Sequence, residues 1–298
     1  MSINLEWYKV FRTVVQNESF SKAARQLFMS QPAVSQIISQ LERELDTRLF
    51  NRTSKGVYLT DEGSLLFEYV NSALNLMEAG NEKLQEMKNL SAGELKIGVG
   101  DTISRYYLLP FLEAFHTNYP SIRFKIINGT TRELIAALKS GEADIAVCNF
   151  PVEDDALEKQ VCFEVQDTFV YGERFKKLFL RPVPWQELTK LPLILLEPKS
   201  NSRQYVEDFL LDKGVKIHAE FELGSHELLL EFAQINFGIA CVVKEFSSDY
   251  LERGRLHEVE FLEQIPKRSI GVCYLKEVSL SPAASKFIEI LGKSQAGG

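Results

Sequence analysis

A chain of 298 residues is long enough for two domains and a large core, so neither disulfides nor a structural metal is needed to hold it. At 45% hydrophobic and 25% charged residues it has an ordinary globular composition, and no stretch approaches the roughly 18 uninterrupted apolar residues that span a bilayer. The net charge of −7 argues mildly against nucleic acid, but it is unevenly spread: residues 1–58 hold eight basic and five acidic side chains, a head of +3 on a body of −10.

The opening run Met1-Ser2-Ile3-Asn4-Leu5-Glu6 lacks a basic segment followed by an apolar one, so no signal peptide is expected and the cytoplasm is the expected location. The cysteines Cys148, Cys162, Cys241 and Cys273 form no CxxC pair, and each lies in or beside an apolar run. They read as buried free thiols in a reducing compartment, with a thiol redox sensor as the alternative.

In chain order, Leu5, Tyr8, Phe11, Val14 and Val15 recur at helical spacing, and Asn17-Glu18 ends that helix. A second helix begins at Ser19-Phe20-Ser21, and its Ala23-Ala24 pair lets another helix approach closely. Ser30 is a good N-cap and Pro32 suits a first turn, so a third helix starts there with Val34, Ile38, Leu41 and Leu45 inward. Two short helices joined by a tight turn form a helix-turn-helix, whose second helix lays its first residues against base edges in the major groove. Its outward residues are Gln31, Ser35, Gln36, Ser39 and Gln40, beside Pro32. Glutamine can grip adenine through two hydrogen bonds, whereas this helix has no arginine before Arg43 to read guanine. Val57 and Leu59 then alternate around a glycine turn, predicting a β-hairpin wing from which Arg52, Thr53, Ser54 and Lys55 reach phosphate or the minor groove.

From Ser19 to Gly63 the sequence resembles the DNA-binding domain of LysR-type transcriptional regulators. The resemblance rests on the Ala23-Ala24 pair, the run from Ser30 to Gln36 opening the recognition helix, Leu41-Glu42, Leu49-Phe50 with Arg52, and Leu59-Thr60 with Gly63. Ile37 departs from it, where the family often carries a polar or small residue. The resemblance implies a winged helix-turn-helix over residues 1–60, a linker dimerisation helix over 61–90, and an effector-binding domain of periplasmic-binding-protein-like fold over 91–298. It implies a bacterial regulator rather than an enzyme, with no cofactor. Its partners would be double-stranded DNA with dyad half-sites, a second copy and in many members a tetramer, and RNA polymerase.

Proline is absent from Asp61 to Asn89, which predicts a helix of about 28 residues, roughly 42 Å long. Leu66, Tyr69, Ala73, Leu76, Gly80 and Met87 form an apolar seam interrupted by Lys83, and such a seam needs a partner helix. Leu90-Ser91-Ala92-Gly93 reads as a hinge.

Beyond the hinge, strands alternate with helices, the pattern of an α/β domain with parallel sheets. Strands are expected at Leu95–Val99, Ile122–Ile127, Ala143–Val147, Phe169–Tyr171, Leu193–Leu196, Ile217–Leu223, Ile239–Val243 and Ser269–Tyr274. Two crossovers, near Glu164–Thr168 and Pro266–Arg268, would split this part into lobe I (about 94–164 and 268–298) and lobe II (about 165–267). Ligands of open α/β sheets bind beyond strand carboxyl ends, at helix N-termini. Thr102, Ser104, Thr130, Thr131, Asn149, Ser202, Arg203 and Ser225 stand at such places, although each hydroxyl or amide there also suits plain helix capping. Together they would suit a small carboxylate or inorganic anion, with Asp101 opposing it by repulsion.

Gly98-Val99-Gly100 invites a dinucleotide reading, but Ile103 stands where the fingerprint needs Gly or Ala. His116, His218, His226 and His257 lack metal-ligand spacing, and no catalytic constellation appears. A solute-binding protein or an enzyme on the α/β body is therefore the weaker alternative.

Overall fold

A computed structural model describes residues 4–53, 56–88 and 93–293. Lys55 and the hinge residues 90–92 lie outside the described residues. The chain divides into two compact units, residues 1–88 with 139–142 and residues 89–138 with 143–298.

The first unit runs α1 (Leu5–Asn17), α2 (Phe20–Gln26), α3 (Gln31–Glu44), β1 (Phe50–Thr53), β2 (Gly56–Leu59) and α4 (Asp61–Lys88). Each of the first three helices is opened by a side-chain cap: Asn4 accepts from the Glu6 N–H, Ser19 from Lys22 and Ser30 from Ala33. Phe11, Val14, Ala23, Val34, Ile38 and Leu41 converge on one core with Leu49 and Phe50 of the wing. Burying each large side chain contributes about 1.5–3 kcal/mol.

Most of the motif residues shared with the LysR head hold this core rather than face solvent. The Glu42 carboxylate accepts from the backbone N–H groups of Leu49 (2.8 Å) and Phe50 (3.3 Å), anchoring the wing to α3. Thr60 donates to the Arg48 carbonyl (2.7 Å) and accepts from the Gly63 N–H (2.9 Å). A Cβ on Gly63 would stand 2.2 Å from the Leu49 carbonyl oxygen, so only glycine fits there.

Helix α4 has the expected 28 residues; of the expected seam Tyr69, Ala73, Leu76 and Gly80 are exposed, the side chain of Met87 lies outside the described residues, and Leu66 departs from it. Val70 and Leu74 are buried in the head core, with Leu66 and Phe67 packed against it. Leu66 thus belongs to the chain's own core, and the outward apolar stripe is Leu65, Tyr69, Leu76 and Leu84.

The second unit opens with β3 (Gly93–Val99), α5 (Asp101–Ile103), a π-helical turn (Ser104–Leu108), α6 (Leu109–Asn118), β4 (Ile122–Ile127), α7 (Thr131–Lys139), β5 (Ile145–Asn149) and β6 (Leu157–Val165). It continues as β7 (Asp167–Tyr171), β8 (Leu193–Leu196), α8 (Asn201–Asp212), β9 (Ala219–Leu223), α9 (His226–Gln234), β10 (Ile239–Val243), α10 (Ser248–Glu252), β11 (His257–Glu258), β12 (Arg268–Leu275) and α11 (Pro282–Lys293). These strands build two five-stranded sheets, ordered β4-β3-β5-β12-β6 and β11-β7-β10-β8-β9. Only Gln166 separates β6 of one sheet from β7 of the other, and the chain returns at β12.

The sheets are mixed rather than all parallel. In each, three strands run parallel, while those flanking the crossovers, β12 and β6 in lobe I and β7 and β11 in lobe II, pair antiparallel to their neighbours. Strand β6 was not expected from the sequence: only Leu157, Cys162 and Val165 are buried in it, and a register shift beside Ile270/Gly271 breaks the alternation.

Candidate functional site

The first candidate surface is the outer face of α3. Gln31, Pro32, Gln36 and Gln40 are exposed and Ser35 and Ser39 half-buried, while Val34, Ile38 and Leu41 hold the opposite face in the core. Ile37 is half-buried against that core, which explains an apolar side chain there. Arg52 and Thr53 fall on β1 of the wing. The turn before α3 carries a residue not singled out in the sequence: Phe28 is 97% exposed, with φ at 54°. The left-handed turn closes the end of α2, where the Phe28 N–H donates to the Arg25 carbonyl (3.2 Å) and the Met29 N–H to the Ala24 carbonyl (2.9 Å).

The second candidate is a cavity of about 310 Å³ between the two lobes, at the carboxyl ends of β3, β4, β5 and β8. Thr102, Thr130, Thr131, Asn149 and Ser202 all line it. Thr130 is engaged locally: Glu133 accepts from its N–H (2.8 Å) and its hydroxyl (2.9 Å), a capping box that opens α7 and, with those bonds as the cause, holds the Glu133 carboxyl below its usual range. The Asp101 carboxylate accepts from the Asn128 amide. The N-cap of α8, Ser200, makes no side-chain bond to its own helix, so the first N–H groups of α8 are uncapped where Ser200, Asn201 and Ser202 line the cavity.

Three of the expected residues stand elsewhere. Arg203 is drawn away by acceptors in lobe II: Glu207 (2.8 Å) takes its Nε, and Glu222 (2.6 Å) and the Leu196 carbonyl (2.7 Å) take one terminal nitrogen. Ser104, in the π-helical turn, and Ser225, before α9, line a neighbouring opening with Arg105, Tyr106, His226 and Glu227.

In place of Arg203 the cavity holds Arg268, a residue named in the sequence only as a crossover boundary. It is 5% exposed, opens β12, and makes a two-pronged ion pair with Asp167 at the start of β7 (2.6 and 3.0 Å). Two further N–H groups donate to Asn149 of lobe I and to the Ser202 hydroxyl of lobe II (2.8 Å), which leaves one of its five donors for a ligand. One guanidinium therefore staples both crossovers and positions a side chain from each lobe. The available signal was a lone arginine opening the apolar run Ser269–Tyr274, matched by a lone aspartate opening Phe169–Tyr171.

Apolar contacts also join the lobes. Val243, which ends β10, and Phe246, just beyond it, lie in the core cluster of lobe I, and Tyr106 stacks on Phe246 at 5.3 Å. His226, at the start of α9, is 2% exposed; its Nε2 accepts from the Val243 N–H at 3.1 Å, and its ring meets Tyr106 edge-on. Burial, with Arg268 and Arg105 adding to it, pushes its pKa down to about 4. Arg105 and Glu227 form an exposed ion pair between the lobes (2.8 Å).

A capped helical head with a wing, a long helix, and a two-lobed α/β body with a polar cleft define a DNA-binding regulator carrying a ligand-sensing domain. Comparisons with known proteins agree. The family model described as the bacterial regulatory helix-turn-helix protein, lysR family, matches residues 5–64, and the LysR substrate binding domain matches residues 88–296. The chain belongs to the LysR family of transcriptional regulators, which are not enzymes. It is 28% identical over 278 residues to a probable RuBisCO transcriptional regulator of Emiliania huxleyi, covering 91% of this chain and 88% of that protein. It is 27% identical over 280 residues to the HTH-type transcriptional regulator YofA of Bacillus velezensis, covering 94% of each. Among solved structures, full-length CbnR complexed with its target DNA superposes with a TM-score of 0.69 at 18% identity, over 98% of this chain and 100% of that one. CrgA of Neisseria meningitidis gives 0.59 at 25% identity over all of both chains. No helix among the described residues is long and apolar enough to cross a membrane.

Proposed function

We propose that this regulator reads promoter DNA with dyad half-sites through α3, in the cytoplasm, as a dimer or tetramer, under the control of a small molecule held between its lobes. The cavity lined from both lobes at the strand carboxyl ends carries the ligand half of this reading. Gln31, Pro32, Ser35, Gln36 and Ser39 would meet base edges, and Arg52, Thr53 and Lys55 phosphate or the minor groove. Thr102 and Thr131 would contact the ligand directly, while Asn149 and Ser202 would sense it through Arg268. The outward stripe on α4 supports pairing with a second copy, and CbnR, solved with its target DNA, supports the groove reading. The fold gives the redox reading less support: Cys148, Cys162 and Cys273 are buried, and the thiols of Cys148 and Cys162 are pushed up, Cys148 through its bond with Cys273 and burial, Cys162 by burial, although that same bond draws the Cys273 thiol down.

Selection of genomic fragments by the purified protein, at a stated salt concentration, should recover a few sites with an imperfect dyad. On such a site Gln36→Ala should cost on the order of 1–3 kcal/mol while barely changing affinity for random DNA. Equal losses on both DNAs would show that α3 is not the reading helix.

A further inference from the structure

Resting on the cleft reading above, we infer that the ligand is a zwitterion of amino-acid type rather than a simple anion. The inference comes from how charge and hydrogen-bond donors are distributed around the cavity. Its floor is rich in donors: the uncapped first turn of α8, the Thr102 hydroxyl, and the Arg268 guanidinium. Arg268 brings little net charge, because Asp167 neutralises it in a two-pronged pair. A carboxylate therefore finds donors on the floor but no excess positive charge.

The rim is different. Asp101 from lobe I and Glu197 from lobe II both line the cavity, both are exposed, and among the described residues neither makes an ion pair. Asp101 is oriented by the Asn128 amide, which occupies only part of its acceptor capacity. Glu197 is seated over Gly224, where an added Cβ would come within 3.2 Å of its Oε1. Glu133 is absorbed in capping α7, and Lys199 is the sole rim cation among the described residues. The two remaining carboxylates repel a free anion, and they offer acceptors to an ammonium group, which is a donor and nothing else. A molecule carrying both groups satisfies floor and rim at once. A cavity of about 310 Å³ is the size for a ligand of that kind.

The test uses the full-length protein and a defined panel: the twenty standard amino acids, the 2-oxo acids that lack their amine, and inorganic phosphate and sulfate. Thermal shift finds binders, and titration calorimetry measures them. At least one amino acid should raise the melting temperature, with its 2-oxo acid bound at least about tenfold more weakly. Glu197→Gln and Asp101→Asn should each narrow that gap by about tenfold, through weaker amino-acid binding and unchanged or tighter oxo-acid binding. Both side chains are exposed, so melting of the unliganded variants separates misfolding from lost recognition. Binding of oxo acids or inorganic anions as tight as that of any amino acid would overturn the inference, as would a panel in which no amino acid binds, or variants that leave the gap intact. If an anion binds and Thr102→Ala abolishes it, the cleft reading stands and only the zwitterion falls. If Thr102→Ala leaves the response of the DNA complex to a metabolite extract intact, the cleft reading falls as well.

Discussion

Arg268 and Asp167 sit 101 residues apart in the chain and form a buried ion pair, with side chains 3% and 2% exposed. Two charges taken out of water repay their desolvation only while both remain. Arg268→Met should therefore lower stability by about 3–5 kcal/mol, read as a fall in the urea midpoint, because it leaves Asp167 charged and alone. Adding Asp167→Leu should restore part of the loss; no recovery in the double variant would mean that packing, not charge, is what Arg268 supplies. His226 gives a second prediction at this scale. The fold holds it neutral, with its pKa down at about 4 through burial, whereas in the unfolded chain it titrates near its ordinary value of about 6.5. Above that upper value both states are neutral and stability is unaffected. As pH falls from about 6.5 towards 4, the unfolded chain takes up a proton that the fold refuses, and stability declines, by about 3 kcal/mol at the lower end. Urea midpoints measured across this range should fall less steeply for His226→Gln than for the parent; parallel profiles would remove His226 from the account.

At the scale of elements, α4 performs two tasks with two faces. Val70 and Leu74 close the core of the head, and Leu65, Tyr69, Leu76 and Leu84 remain outward. A solvent-exposed apolar stripe of this length on a helix invites a partner helix. Tyr69→Lys places a charge in that stripe without touching the head core, so sedimentation should show weakened self-association at unchanged thermal stability. Undiminished association would place the contact between copies elsewhere. The π-helical turn from Ser104 to Leu108 is a second instructive element. The Leu109 N–H reaches back to the Ser104 carbonyl, one residue beyond an α-helical bond. That extra residue brings Arg105 to Glu227 and Tyr106 to His226 and Phe246, so a local change of helical pitch becomes contact between lobes.

For the whole molecule, the readable part of the sequence was the part held by local contacts. Ser19, Ser30 and Thr60 cap within three residues of themselves, Glu42 reaches seven or eight residues on, and the apolar spacing of α1 and α3 follows one helical period. Such features leave a pattern along the chain, which is why the head, its wing and the long helix were legible almost to the residue. The strands of the sensor were legible where continuous apolar runs (β5, β7, β8, β10) or apolar alternation (β4, β9) marked them, and β6 was not, since its bulge breaks the period. The strand ends pointed to Thr102, Thr130, Thr131, Asn149 and Ser202, and these residues line the cavity. Glu207, four residues after Arg203 on the same helix, was a local sign that this arginine would be taken, but nothing local pointed to Glu222 or showed that Ser104 and Ser225 would line a different opening. Local periodicity and turn chemistry were enough for most of the elements, and the motif run from Ser19 to Gly63 for the family resemblance. Only the tertiary structure decided which polar groups share the cleft and what charge they present there, because Arg268, Asp167, Asn149 and Ser202 meet across 66 to 119 residues of chain, and hydrogen bonds over such separations leave no periodic trace.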